Sequence, residues 1–284
     1  MRVFSVLLAL AAVVSPAVAQ QPPAPPVDTI AVVALHLSDG SDLTGRIVAA
    51  DDSSLTLLTF AGARVTVPRR AIVSWRPEAG RVTAKGLQHS DASSSRLFFA
   101  PTARTLEKGT GYFTDYYIVF PTVGVGVSDR VMVSGGVSII PGTDQLVYAA
   151  AKIGVVQKPT AAVAVGAFWA TVPNESDATL GMGYAVTTLG SEDHAITLLA
   201  GVPFTTQDLA PQPLFVAGGE TRIGSGSKLM VEAWKLPEED AVPVLFGVRA
   251  FGKRLSAGFG LVYVFPNSIE GWPFIPWGDF SITW

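Results

Sequence analysis

From Ser95 to Trp284 the chain is a succession of runs of roughly ten residues in which apolar side chains return at every second position. Leu255 to Phe265 places Leu255, Ala257, Phe259, Leu261, Tyr263 and Phe265 on one side of an extended chain. Ser256, Gly258, Gly260, Val262 and Val264 fall on the other. Val242 to Ala250 repeats the pattern, with Arg249 opposite the apolar face. In Ser227 to Ala233, Lys228 and Glu232 oppose Leu229, Val231 and Ala233. In Asp129 to Ile139, Arg130 and Ser134 oppose Val131 and Val133. The breaks are turn sequences such as "SDR", "PGTD", "QKPT", "GSED", "GSGS" and "FGKR". About 12 strands follow, with connections short enough for hairpins, hence an up-and-down antiparallel order. Thr160 to Thr171 departs from the rule, being Ala, Val and Gly on both faces.

One face of these strands is large and oily; the other is Gly, Ser, Thr and sparse charge. A soluble sandwich hides its large residues and shows abundant charge to water, yet only 15% of this chain is charged and 49% is hydrophobic. The profile predicts a transmembrane β-barrel with oily residues toward lipid and small or ionic ones toward the lumen. A soluble exported β-sandwich binding protein is the alternative. Aromatic residues near strand ends, among them Phe98, Phe99, Phe168, Trp169, Trp234, Phe265, Trp272 and Trp277, fit interface girdles. The chain closes on "GDFSITW", with Phe280, Ile282 and Trp284 at two-residue steps after Gly278. In this the region 95–284 resembles bacterial outer-membrane β-barrel proteins. That resemblance implies that Gly278, Phe280, Ile282 and Trp284 form the strand read by the barrel-assembly machinery, and that the barrel's surroundings are outer-membrane lipid.

The region before the barrel is organised differently. Residues 27–77 hold five short β-branched or aliphatic runs, "VALHL", "LTGRIVAA", "LTLLTF", "RVTVP" and "RRAIVSW", separated by turns. Leu35, Leu37, Gly40, Gly45, Ile47, Asp51, Leu55 and Leu57 carry a Gly-x4-Gly-x-Ile-x3-Asp spacing that resembles the Sm-like and SH3-like small barrels. Ser54 stands one position early for that pattern, and the second Sm motif is missing. The resemblance implies a five-stranded small barrel. Residues 78–94 are polar and are expected to be a connector. At the start, Arg2, the apolar run to Val14 and Ala17-Val18-Ala19 predict a signal peptide over 1–19, followed by a Pro-rich linker over 20–26. An exported protein of this layout would keep its small domain in the periplasm, where a protein partner is the expectation.

Charge and chemistry narrow the picture further. The net charge of −3 argues against nucleic acid as a partner. The chain has no Cys, so disulfides, thiolate zinc sites and Cys nucleophiles are excluded. His36, His89 and His194 are far apart, and neither a metal nor another cofactor is expected. A lipid hydrolase or protease would have to use His194, the one barrel histidine, and no Gly-x-Ser-x-Gly elbow accompanies it; a non-enzymatic role is expected. "LSDGSDL" and "AADDSSL" fit hairpin turns better than calcium loops. Alternation sends Arg96, Asp115, Arg130, Lys152, Glu220, Arg222, Lys228, Glu232, Arg249 and Arg254 inward. They would either pair to fill and stiffen the barrel or line a narrow pore for small, anionic solutes.

Overall fold

The computed structural model describes residues 32–77, 81–83, 86–173, 179–205, 212–237, 239–266 and 272–284. The expected signal peptide and linker lie outside them. The chain divides into two compact units, one ending at Glu78 and one running from Ala79 to Trp284.

The first unit is a five-stranded antiparallel sheet. Its strands are β1 (Val32–Leu37), β2 (Asp42–Ala50), β3 (Ser54–Thr59), β4 (Arg64–Pro68) and β5 (Ile72–Pro77), with a single 3-10 turn, Arg69–Ala71, leading into β5. The order is β4-β3-β2-β1-β5, so the last strand returns beside the first. Alternation sends Leu35, Ile47, Leu55 and Leu57 into a core that is closed to solvent. The two acidic loops are turn caps. Asp39 accepts from the N–H of Ser41, and Asp51 accepts from the N–H groups of Ser53 and Ser54, both at 2.7 Å. Hydrogen bonds from the Ser53 hydroxyl and backbone, and then from Ser54, hold the Asp51 carboxyl well below the usual carboxylate range.

The second unit opens with a small hairpin of β6 (Arg81–Thr83) and β7 (Gly86–Gln88). Twelve strands then form a closed barrel. They are β8 (Gly111–Tyr116), β9 (Phe120–Ser128), β10 (Val131–Val137), β11 (Val147–Lys158), β12 (Ala161–Thr171), β13 (Thr179–Gly190), β14 (His194–Thr205), β15 (Leu214–Gly224), β16 (Ser227–Lys235), β17 (Val242–Phe251), β18 (Leu255–Phe265) and β19 (Ile275–Thr283). Every neighbouring pair is antiparallel, and β19 closes on β8 through Asp279↔Tyr116 to Thr283↔Tyr112. Closure excludes the two stacked sheets of a sandwich and leaves no sheet edge in the barrel.

The wall is oily outside. Phe259 is 66% exposed and Ile196 62%, whereas Thr197, next to Ile196, is 2% exposed. This is the architecture of an outer-membrane β-barrel. Phe280 and Ile282 on β19, and Trp284 just past its end, are exposed on the outer wall, while Asp279 and Ser281 are buried. At one end the connections are short, at 129–130, 159–160, 191–193, 225–226 and 252–254. At the other, most are longer, including 138–146, 206–213 and 266–274.

The opening strand expected from Ser95 is not in the wall. Residues 89–105 form an irregular strap, held locally by an Arg96–Pro101 bridge and by turn bonds such as Leu97 N–H to Ala100 O and Thr102 N–H to Ser95 O, and it meets the inward faces of β11, β13 and β15–β19. The small inward residues of β12 are thereby explained: Ala162 and Ala164 pack in one cluster with Ala100 and Ala103 of the strap.

Leu198 is 55% exposed near the middle of β14. Leu198→Arg should cost about 2–4 kcal/mol in denaturant unfolding from lipid vesicles, as a charge at mid-membrane depth does. A change near zero would contradict a lipid-facing wall.

Candidate functional site

A non-helical, non-sheet backbone inside a barrel has N–H and C=O groups with no ladder to join. Here wall side chains take that role. Arg249 on β17, fully buried, donates Nη1 to Ser93 O and Arg96 O, both at 3.2 Å, and Nη2 to Leu97 O. Lys152 on β11 places Nζ 3.0, 2.8 and 2.6 Å from the carbonyls of Ser95, Thr102 and Arg104. Glu232 on β16 accepts from the N–H groups of Phe99 and Ala100 at 3.1 Å. Thr188 Oγ1 accepts from Ala103 N–H at 2.9 Å, and Gln157 Nε2 donates to Ala103 O at 2.7 Å.

Side-chain charges lock the same segment. Arg104 pairs with Glu220 at 2.7 Å; Glu220 also meets Lys228 at 3.1 Å. Lys228 reaches Asp91 at 3.0 Å, and Asp91 meets Arg249 at 3.3 Å. Arg96 pairs with Asp279 at 2.7 Å and donates to Ser281 Oγ at 2.8 Å. Leu97 and Phe98, with no exposure, pack against Met230 and Leu245 as apolar anchors. Two wall positions must be Gly for the fit: a Cβ on Gly218 would strike Leu97, and one on Gly258 would strike the Asp279 carboxylate.

Beyond the strap, toward the longer connections, the lumen opens into a cavity of about 470 Å³ lined largely by rings. Phe99 of the strap forms its floor with Arg96 and Pro101. Tyr116, Tyr148, Phe168, Trp234 and Trp277 stand around it. Tyr117 and Ile118, at the β8–β9 turn, have φ of 55° and 67°, strained for side chains of that bulk. The turn sets the Tyr117 ring 5.0 Å from that of Trp277 at the rim.

The sequence-predicted lumen charges therefore divide. Arg96, Lys152, Glu220, Lys228, Glu232 and Arg249 meet in the strap layer. Arg222 sits at its edge, 2.5 Å from Asp193. Arg130 and Arg254 lie exposed in the turns before β10 and β18, because the alternation that sent them inward stops where the strand does. Asp115 pairs across β8–β19 with Phe280, whose ring is exposed on the outer wall, so it shares the outward face. It is half-buried, with Oδ1 unpartnered. Of the aromatics expected in girdles, Trp169, Phe265 and Trp272 are exposed, Phe98 and Phe99 ride on the strap, and Phe168, Trp234 and Trp277 turn into the cavity.

Asp91, Arg104 and Asp279 were not among the expected charges. Asp91 and Arg104 lie in tracts without a readable period; Asp279 was legible, since it shares Ser281's inward face. His194 begins β14 on the outward parity of Ile196, with Nδ1 2.6 Å from Thr221 Oγ1. Among the described residues no group of three or more His, Asp or Glu is placed to hold a metal ion.

No family model matches the chain, and no curated relative does. Solved structures similar to it include the KdgM porin in complex with disordered oligogalacturonate, at 7% identity and TM-score 0.44, covering 61% of this chain and 95% of that one. The NanC porin gives 10% identity and TM-score 0.40, with 61% and 97% covered. A loop L8 deletion mutant of OmpT, an outer membrane protein of Vibrio cholerae, gives 12% and 0.35, with 90% and 97% covered.

Lys228→Met strips the shared partner from Asp91 and Glu220 and should destabilise the barrel by about 3–5 kcal/mol. Arg254→Ala, in an exposed turn, should stay within about 0.5 kcal/mol. Denaturant unfolding followed by Trp fluorescence measures both; equal costs would contradict the ionic lock.

Proposed function

We propose that the chain is an outer-membrane protein whose barrel anchors it in lipid and gives small solutes a narrow path restricted by the strap. The carrying observation is the strap itself, latched across the lumen by Lys152, Glu232 and Arg249. Among the described residues the fully buried charges balance: Arg96, Lys152, Lys228 and Arg249 stand against Asp91, Glu220, Glu232 and Asp279. At its margin Arg104 and Arg222 stand against Asp193 and Glu192, so the layer as a whole is neutral. The role is passage and anchoring, without catalysis.

The N-terminal sheet is proposed to be an Sm/SH3-like module that binds a protein partner in the periplasm. The return of β5 beside β1 supports the small-barrel reading. The chain approaches the barrel at the short-turn end, where His89 N–H donates to Ser225 O at 2.9 Å. Short turns face the periplasm in outer-membrane barrels, which supports a periplasmic place for what precedes them in sequence.

Planar-bilayer conductance tests the reading. The intact protein should show small conductances, and the double substitution Glu232→Ala with Arg249→Ala should enlarge them. Deleting residues 27–75 should leave conductance unchanged. Absence of conductance, or conductance indifferent to the double substitution, would overturn the proposal.

A further inference from the structure

We propose that the ring-lined cavity above the strap is a binding site for an uncharged, largely hydrocarbon small molecule carrying a flat ring. The cavity's volume of about 470 Å³ lies within the span of small-molecule pockets, about 300–1,000 Å³. Its chemistry comes from where the polar atoms of its walls point. Trp234 donates its indole N–H down to Glu232 at 2.7 Å, and Trp277 donates its own to Asp279 at 3.0 Å. Tyr148 directs its hydroxyl to Pro121 O at 2.8 Å. These side chains spend their donors on the protein and turn ring surface to the cavity.

The charged groups at the floor are occupied as well. Both Nη groups of Arg96 go to Leu97 O, Phe98 O, Asp279 and Ser281. The three protons of Lys152 have three strap carbonyls. An anion entering the cavity would have to leave water without gaining a charged partner, so charged ligands are disfavoured. What remains on offer is Phe99. The residue is 52% exposed, and it lines the cavity inside the lumen rather than facing lipid. Rings surround it, Trp234 at 5.8 Å, Tyr116 at 5.9 Å and Trp277 at 6.4 Å between centroids. A flat apolar ligand completes that edge-and-face cluster and removes Phe99 from water.

The test uses the full chain in nanodiscs and the uncharged dye N-phenyl-1-naphthylamine, read by energy transfer from Trp. Binding should saturate near one dye per protein above the linear partition into lipid. The anionic 1-anilinonaphthalene-8-sulfonate should bind at least about tenfold more weakly. Ala150→Phe, whose side chain enters the cavity, should weaken the uncharged dye about tenfold, and so should Phe99→Ala, which removes the platform without adding bulk. Heat-modifiable gel mobility identifies which variants fold. A purely linear wild-type titration, equal affinity for the anionic dye, or unchanged affinity in whichever variant folds would overturn the proposal. None of these results bears on conductance, so the pore reading stands or falls separately.

Discussion

The structure depends on one constraint: a length of irregular backbone in a closed lumen must find partners for its amides and carbonyls. Each unsatisfied group away from water costs on the order of kilocalories. Lys152 and Arg249 answer carbonyls, Glu232 answers amides, and Gln157 answers both. The charges thus serve the strap's peptide groups first and each other second. Lys152 shows this most clearly: its ammonium donates to three strap carbonyls, those of Ser95, Thr102 and Arg104.

That arrangement layers the lumen. Toward the short turns lies an ionic layer, running from Arg104 through Glu220, Lys228 and Asp91 to Arg249. Toward the longer connections lies the aromatic cavity. Trp234 and Trp277 join the layers, with indole N–H groups in the first and ring faces in the second. A buried ionic network of this kind contributes less to net stability than to fixing one arrangement, because desolvation offsets much of the attraction. Its consequence is a strap with a single well-defined path across the barrel.

The barrel wall was legible in the sequence because alternation is a local property. On β17 and β18 the outward and inward residues are those the pattern assigns, down to Arg249 and Ser256. The strap was not legible. "SRLFFAPTAR" reads as a strand when taken alone, and what removes it from the wall is a set of partners, Lys152, Glu232 and Arg249, more than 45 residues away. The expected number of strands nevertheless stands. The tract from Gly111 to Ser128 folds into two strands about a turn at Tyr117 and Ile118, where no Gly or Pro announces it. Lys152, Glu220, Lys228, Glu232 and Arg249, inside β11 and β15–β17, were placed by parity; Asp115, inside β8, was not, because the unannounced turn at Tyr117 and Ile118 sets which face of that short strand looks outward. Arg130 and Arg254 were not, because parity has no meaning past a strand's end.

The most direct test of the strap's position is a disulfide. Ser93 on the strap and Ser256 on β18 bring their Oγ atoms to 2.9 Å, and the chain has no cysteine of its own. In the double variant Ser93→Cys with Ser256→Cys, mild oxidation of the membrane-embedded protein should link the pair nearly completely while the barrel keeps its heat-modifiable mobility. If both thiols stay reduced and react freely with a water-soluble maleimide, the strap does not lie in the lumen, and the account of how the charges are used fails with it.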